Sequence, residues 1–172
     1  MILQTYQSRA ALTILQSGEV YKAKPSITYK GEYGALIDIL NLKCECPIFC
    51  VVKGRKQNTS GKISATVKLT LDVPDSYVKL TEFPVWADFL YGFKSSKPGN
   101  YRVLDPNTEE FESKHYTAII EDLRNQRKLS EYKYPQAIIE KINPEWLKKH
   151  QFIHSKSHFN RKAEEFFNKF RK

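Results

Sequence analysis

Cys44, Cys46 and Cys50 stand within seven positions, and their type and spacing speak most directly of chemistry. Three thiolates would offer soft ligands to zinc, but a structural zinc site takes four ligands in a tetrahedron. The fourth would have to come from a distant residue such as His115 or His154. Cys50 also lies inside the apolar run Ile48 to Val52, where cysteine commonly serves as a small buried hydrophobe. The expectation is packed or incidental thiols and no metal. An odd number of cysteines cannot close into internal disulfides, which suits a reducing compartment. His150, His154 and His158 recur every fourth residue, the spacing that lines one helical face, yet the intervening QFIHSKS is a poor helix former. They read as solvent-facing polar residues.

Positive charge offers a second kind of chemistry. The formal net charge is +9, and residues 141–172 hold nine Lys/Arg against three Glu. The spacing of Phe159, Ala163, Phe166, Phe167 and Phe170 predicts an amphipathic helix over 158–171, with Arg161, Lys162, Lys169, Arg171 and Lys172 largely outside its apolar stripe. The apolar face would dock on the domain or on a second copy, giving a homo-oligomer, and the basic face would meet a polyanion. The loop GRKQNTSGK at 54–62 carries Arg55 and Lys56 and no acid, a second place to grip phosphates. Ten Tyr and ten Phe supply rings for stacking, although many fall on expected core stripes. The expected partner is nucleic acid or an acidic protein surface.

Several function classes leave no trace. The chain has no HExxH, Walker loop, dinucleotide glycine fingerprint or GxSxG elbow. Its N-terminus lacks the basic head and cleavage site of a secretory signal, and no apolar run approaches the roughly 20 residues of a membrane span, so a cytoplasmic location is expected. With 172 residues, 41% hydrophobic and 13% aromatic, it has the material for one core.

The elements that must position these residues follow from periodicity. Met1 to Tyr6 is β-compatible, and Ser8 is placed to cap a helix whose apolar positions Ala11, Leu12, Ile14 and Leu15 run to a stop at Gly18. Glu32 to Leu42 reads as a second helix burying Ala35, Leu36, Ile39 and Leu40. Ile48 to Val52 is a continuous apolar strand. Ile63, Ala65, Val67, Leu69 and Leu71 alternate with polar residues, the signature of a strand with one covered face. These two strands are expected to pair as a hairpin. A short helix with Pro84, Val85, Trp86, Phe89 and Leu90 should stop at Gly92, 94–107 should be loop, and Thr108 should cap a helix reaching about Arg127. Ala137 to Ile142 suggests the closing strand, and Pro144 a short helix holding Trp146 and Leu147.

With these elements laid out, LTLDVPDSYVKLTEFPVWADFLY at 69–91 resembles the bacterial family of unknown function number 3841. The shared features are the strand Leu69 to Val73, the Pro74-Asp75 turn, the short strand Val78 to Leu80, the step Glu82-Phe83 and the helix with Trp86. LQTYQSRAALTILQSGEV, the Pro47-Ile48-Phe49 start and PQAIIEKINPEWLKKHQF extend the resemblance over 1 to about 153. The chain departs at Phe49 to Val51, where a tryptophan-containing run is usual, and at Glu82, where aspartate is. The resemblance implies a fold and no activity. The opening QTYQSRAALTILQSG, with Gln136 and Glu140 on a late strand, is also loosely similar to the split-sheet layout of ADP-ribosyltransferases. That similarity implies NAD as cofactor, with Glu140 steadying an oxocarbenium charge and Gln4, Tyr6 and His115 around the cofactor.

The expectation is an α+β single compact domain over 1–153, with a small mixed or antiparallel sheet and flanking helices, followed by a basic amphipathic helix at 154–172. Its function is expected to be binding of nucleic acid or an acidic protein surface, without a cofactor. The alternative is an NAD-using enzyme with Gln4, Tyr6, His115 and Glu140 as its site.

Overall fold

A computed structural model of the chain describes residues 1–25, 30–55, 65–95 and 110–153. Strand β1 (Ile2–Gln7) leads through Ser8 into helix α1 (Arg9–Gln16), whose first turn is closed by the Ala11 N–H donating to Ser8 Oγ at 3.3 Å. Gly18 ends it at φ 83°, a left-handed conformation that costs glycine least. Helix α2 (Lys30–Leu40), strand β2 (Ile48–Val52) and strand β3 (Val67–Asp72) follow. Strand β4 (Lys79–Glu82) runs directly into α3 (Phe83–Ser95). After α4 (Glu110–Arg124) come strands β5 (Pro135–Ile139) and β6 (Leu147–Phe152).

The six strands form one antiparallel sheet in the order β4-β5-β2-β1-β3-β6. The fold is α+β, as the residue pattern indicates, but the pairing differs from the expected hairpin. β1 lies between β2 and β3, matching Leu3 to Val52 on one side and Leu3 to Leu71 on the other. β2 and β3 both run antiparallel to β1 and so parallel to each other, which means the chain from Val52 to Val67 must return along the length of β1 as well as step about 10 Å across it, and a hairpin turn cannot do that. Leu3 and Thr5 complete the covered face that those strands need.

Three further expectations are corrected. The apolar run at Ala137 is not the closing strand: β5 is interior, between β4 and β2, and all five of its residues are buried. The closing strand is β6, which is mostly exposed because it pairs only with β3. The expected helix at Pro144 is a single 3-10 turn, Pro144–Trp146, and Leu147 belongs to β6. Helix α3 also continues through Gly92 to Ser95, since an interior glycine costs only about 1 kcal/mol and does not by itself end a helix. The expected loop after it and the Thr108 cap lie outside the described residues.

Each sheet face has its own core. On one face Leu3, Cys50, Leu69, Leu71, Ala137 and Ile139 pack under Leu12 and Leu15 of α1, with Tyr132, Ile142 and Trp146 alongside. On the other, Ile138 and Phe49 meet Leu36 and Leu40 of α2, Trp86 and Phe89 of α3, and Ile119 and Leu123 of α4. Phe49, Trp86 and Phe89 stack in series at 5.7 and 5.4 Å between ring centres. The sheet residues of this second core come from β2 and β5, so the α2–α4 layer lies over one half of the sheet.

Candidate functional site

The other half of that face belongs to β1, β3 and β6, and register fixes what stands there. Directly opposed residues share a face. Gln4 is opposite Thr70, and Thr70 is opposite Lys149; Tyr6 is opposite Lys68, and Lys68 is opposite Gln151. Two polar rows therefore cross three strands, each about 10 Å wide. Lys149 and Gln151 are exposed, and Gln4, Tyr6, Lys68 and Thr70 are half-buried. Beneath them, on the reverse side, Leu3, Thr5, Val67, Leu69 and Leu71 are fully enclosed. Thr5 is satisfied there, its hydroxyl donating to the Phe49 carbonyl at 3.0 Å and accepting from Gln7 Nε2 at 2.9 Å.

The first row continues under the helices through Val51, Gln136 and Thr81. Gln136 Oε1 and Thr81 Oγ1 are buried there without a hydrogen-bond partner. The row thus passes from a dry, helix-covered end to a wet end carrying lysine.

The polyanion-binding candidates fall into three groups. Arg55 follows β2, is half-buried, and uses guanidinium Nη2 to donate to the Tyr132 carbonyl, so part of its binding capacity holds two segments of the fold together. Lys56 lies outside the described residues, as do Arg161, Lys162, Lys169, Arg171 and Lys172. The last described residue, Ile153, donates its N–H to the Thr66 carbonyl at 2.8 Å, where β6 ends beside the start of β3. Lys68 and Lys149 were missed by sequence reasoning. The alternation of β3 marks Lys68 and Thr70 as the polar side of a strand, but only the flanking β1 and β6 turn that side into a surface.

The four residues of the enzyme reading come from three parts of the fold. Gln4 and Tyr6 stand on the polar rows, and His115 belongs to α4. Glu140 follows β5 and lines a separate cleft of about 610 Å3 with Leu42, Lys43 and Cys44, where its Oε1 accepts the Lys43 N–H at 2.9 Å. Neither Gln4 nor Tyr6 lines that cleft.

The cysteines are free thiols, Cys46 and Cys50 buried and Cys44 half-buried. Burial, the Glu140 carboxylate and Cys46 push the Cys44 thiol up to about 11. Complete burial pushes Cys50 up to about 12, and burial also raises Cys46. All three thiols are held above their ordinary value, which disfavours the free thiolate that nucleophilic attack needs. Among the described residues no group of three His, Cys, Asp or Glu is placed to hold a metal ion. His150 sits on β6, exposed, its ring 5.6 Å from that of Phe152; His154 and His158 lie outside the described residues. No described helix is long and apolar enough to cross a membrane. Comparison of the chain with protein families, with curated proteins and with solved structures yields no match in any of the three.

Proposed function

We propose that this protein is a binding module for single-stranded nucleic acid, which lies across the polar half-face of the sheet. The observation that carries the reading is the pair of rows Gln4–Thr70–Lys149 and Tyr6–Lys68–Gln151. Lys68 and Lys149 neutralise phosphates, the Tyr6 ring offers a stacking surface, and the amides and the Thr70 hydroxyl hydrogen-bond base edges. A sheet face suits a single strand because splayed bases can be read flat, whereas a duplex hides them in grooves. The basic residues Arg55, Lys56, Arg161, Lys162, Lys169, Arg171 and Lys172 add further phosphate contacts. The protein works in the cytoplasm, where its three thiols stay reduced. Kinship with the family of unknown function number 3841 is part of the same proposal and brings no activity with it.

The reading is tested by titrating a labelled single-stranded oligonucleotide, the matching duplex and an acidic peptide into the full chain, then into Lys68→Ala/Lys149→Ala. Single-strand binding weakened roughly tenfold or more by the double change, at an unaltered melting temperature, is the expected result. Tighter binding of the acidic peptide than of the oligonucleotide would move the assignment to a protein partner.

A further inference from the structure

The cleft beside Glu140 is built from three chain segments far apart in sequence, and hydrogen bonds pin all three. Tyr21 and Ile142 exchange backbone bonds in both directions at 2.9 Å, which holds Lys22, Ala23 and Lys24 beside Glu140 and Lys141. The Lys43 N–H on Glu140 Oε1 fastens the third segment, and the Leu42 N–H donates to the Ile37 carbonyl at 2.9 Å behind it. A cleft of about 610 Å3 held in this way is within the size range of small-molecule sites and is preorganised, so a ligand need not pay for ordering its walls.

Its lining sorts into three kinds of group. Four lysines, Lys22, Lys24, Lys43 and Lys141, line the cleft with two carboxylates, Glu45 and Glu140; the Lys43 ammonium donates to Asn41 Oδ1 at 3.1 Å and that of Lys141 lies 5.9 Å from the centre of the Tyr77 ring, neither of which cancels its charge. Glu140 spends one lone pair on the Lys43 N–H, and a carboxylate has about four acceptor positions, so it can still take hydroxyl donors. Leu42, Ala23 and the protonated Cys44 thiol make an apolar wall. The excess of lysine calls for an anion, and lysine acts on phosphate as a point charge. A bare anion would leave the carboxylate unused and repelled. The complement of all three groups is a molecule with a phosphate at one end and hydroxyls a few bonds away.

From this geometry we infer that the cleft binds a small phosphorylated sugar, either free or as the ribose phosphate of a mononucleotide. The site is separate from the polar rows, so it stands or falls independently of the nucleic-acid reading.

The test is calorimetric titration of the full chain with ribose 5-phosphate, AMP, ribose, adenosine and inorganic phosphate at low salt. The two phosphorylated ribosides are expected to bind one per chain, with ribose and adenosine failing to saturate and inorganic phosphate at least about tenfold weaker. Lys22→Met/Lys24→Met should weaken the phosphorylated ribosides by about tenfold or more, and Glu140→Gln should narrow their advantage over inorganic phosphate. Lys68→Ala/Lys149→Ala should leave them unchanged. A ribose 5-phosphate advantage with no gain for AMP identifies the free sugar phosphate, and the reverse identifies the nucleotide. The inference is overturned if no phosphorylated compound saturates, if inorganic phosphate binds as tightly, or if the Lys22 and Lys24 changes have no effect in a protein that melts normally.

Discussion

Replacing Tyr132 by phenylalanine removes one oxygen from a place where three parts of the fold converge. The side chain is 1% exposed. Its hydroxyl can donate to the Leu80 carbonyl at 3.2 Å or the Asn125 carbonyl at 3.3 Å, and it accepts the Arg127 N–H at 3.1 Å. The two losses are unequal. Leu80 O also accepts from Gln126 Nε2 at 3.1 Å, so β4 keeps a partner there, while the Arg127 N–H loses the bond its residue makes to the ring oxygen. The Arg127 guanidinium, 4.5 Å over the ring, still has a ring to cover. One neutral bond lost with its partner compensated is worth about 1 kcal/mol, and an N–H left short of its acceptor adds about 1 kcal/mol more, giving about 2 kcal/mol in total. For a chain of this size that lowers the melting temperature by about 4–8 °C. Thermal melting and urea unfolding of Tyr132→Phe measure it, with an unchanged denaturant slope confirming that the native state is intact. A variant that melts with the parent would refute the claim that this hydroxyl ties β4 to the segment after α4.

The face assignment of β3 is tested by Val67→Asp. Val67 has no exposed surface, and an unpaired carboxylate there competes with a total stability of about 5–15 kcal/mol, so the variant should be largely unfolded by circular dichroism; a folded, normally melting protein would put Val67 on the wrong face. Alkaline pH tests the buried thiol. Cys50 loses its proton at about 12 when folded but at its ordinary 9.0 when unfolded, so the native state holds the extra proton in that window. Its stabilising effect is complete below pH 9 and disappears as pH rises towards 12, at about 1.4 kcal/mol per pH unit. Melting temperature should therefore fall less steeply above pH 9 in Cys50→Ala than in the parent, and parallel slopes would contradict a buried neutral thiol.

How much of this was legible without coordinates depends on whether a residue's signal is local. Ser8 and Gly18 delimit α1 by themselves, and the alternation from Ala65 to Leu71 states which side of β3 is covered. Pairing is not local. β1 carries two enclosed residues, Leu3 and Thr5, of which one is polar, so its central position shows only when β2 and β3 are seen to need a common neighbour. β6 reads LKKHQF with no apolar alternation because an edge strand has little to bury, and its lysines suited a helix equally well. The polar rows inherit this difficulty: Tyr6, Lys68 and Gln151 are a unit only through register. The Glu140 cleft is further out of reach, since Lys22, Lys43 and Lys141 come from three distant segments joined by the Tyr21–Ile142 backbone pair and by the Glu140 carboxylate on the Lys43 N–H, contacts that no local pattern encodes.

The central claim is that Lys68 and Lys149 contact the phosphates of a single strand. The most direct measurement is the salt dependence of oligonucleotide binding, taken as log K against log salt concentration for the full chain and for Lys68→Ala/Lys149→Ala. Each phosphate contact on a single strand contributes about 0.7 to the magnitude of that slope, so the double variant should show a slope shallower by about 1.4. A slope that stays the same, whatever the absolute affinity, would mean that the strand does not lie across this face.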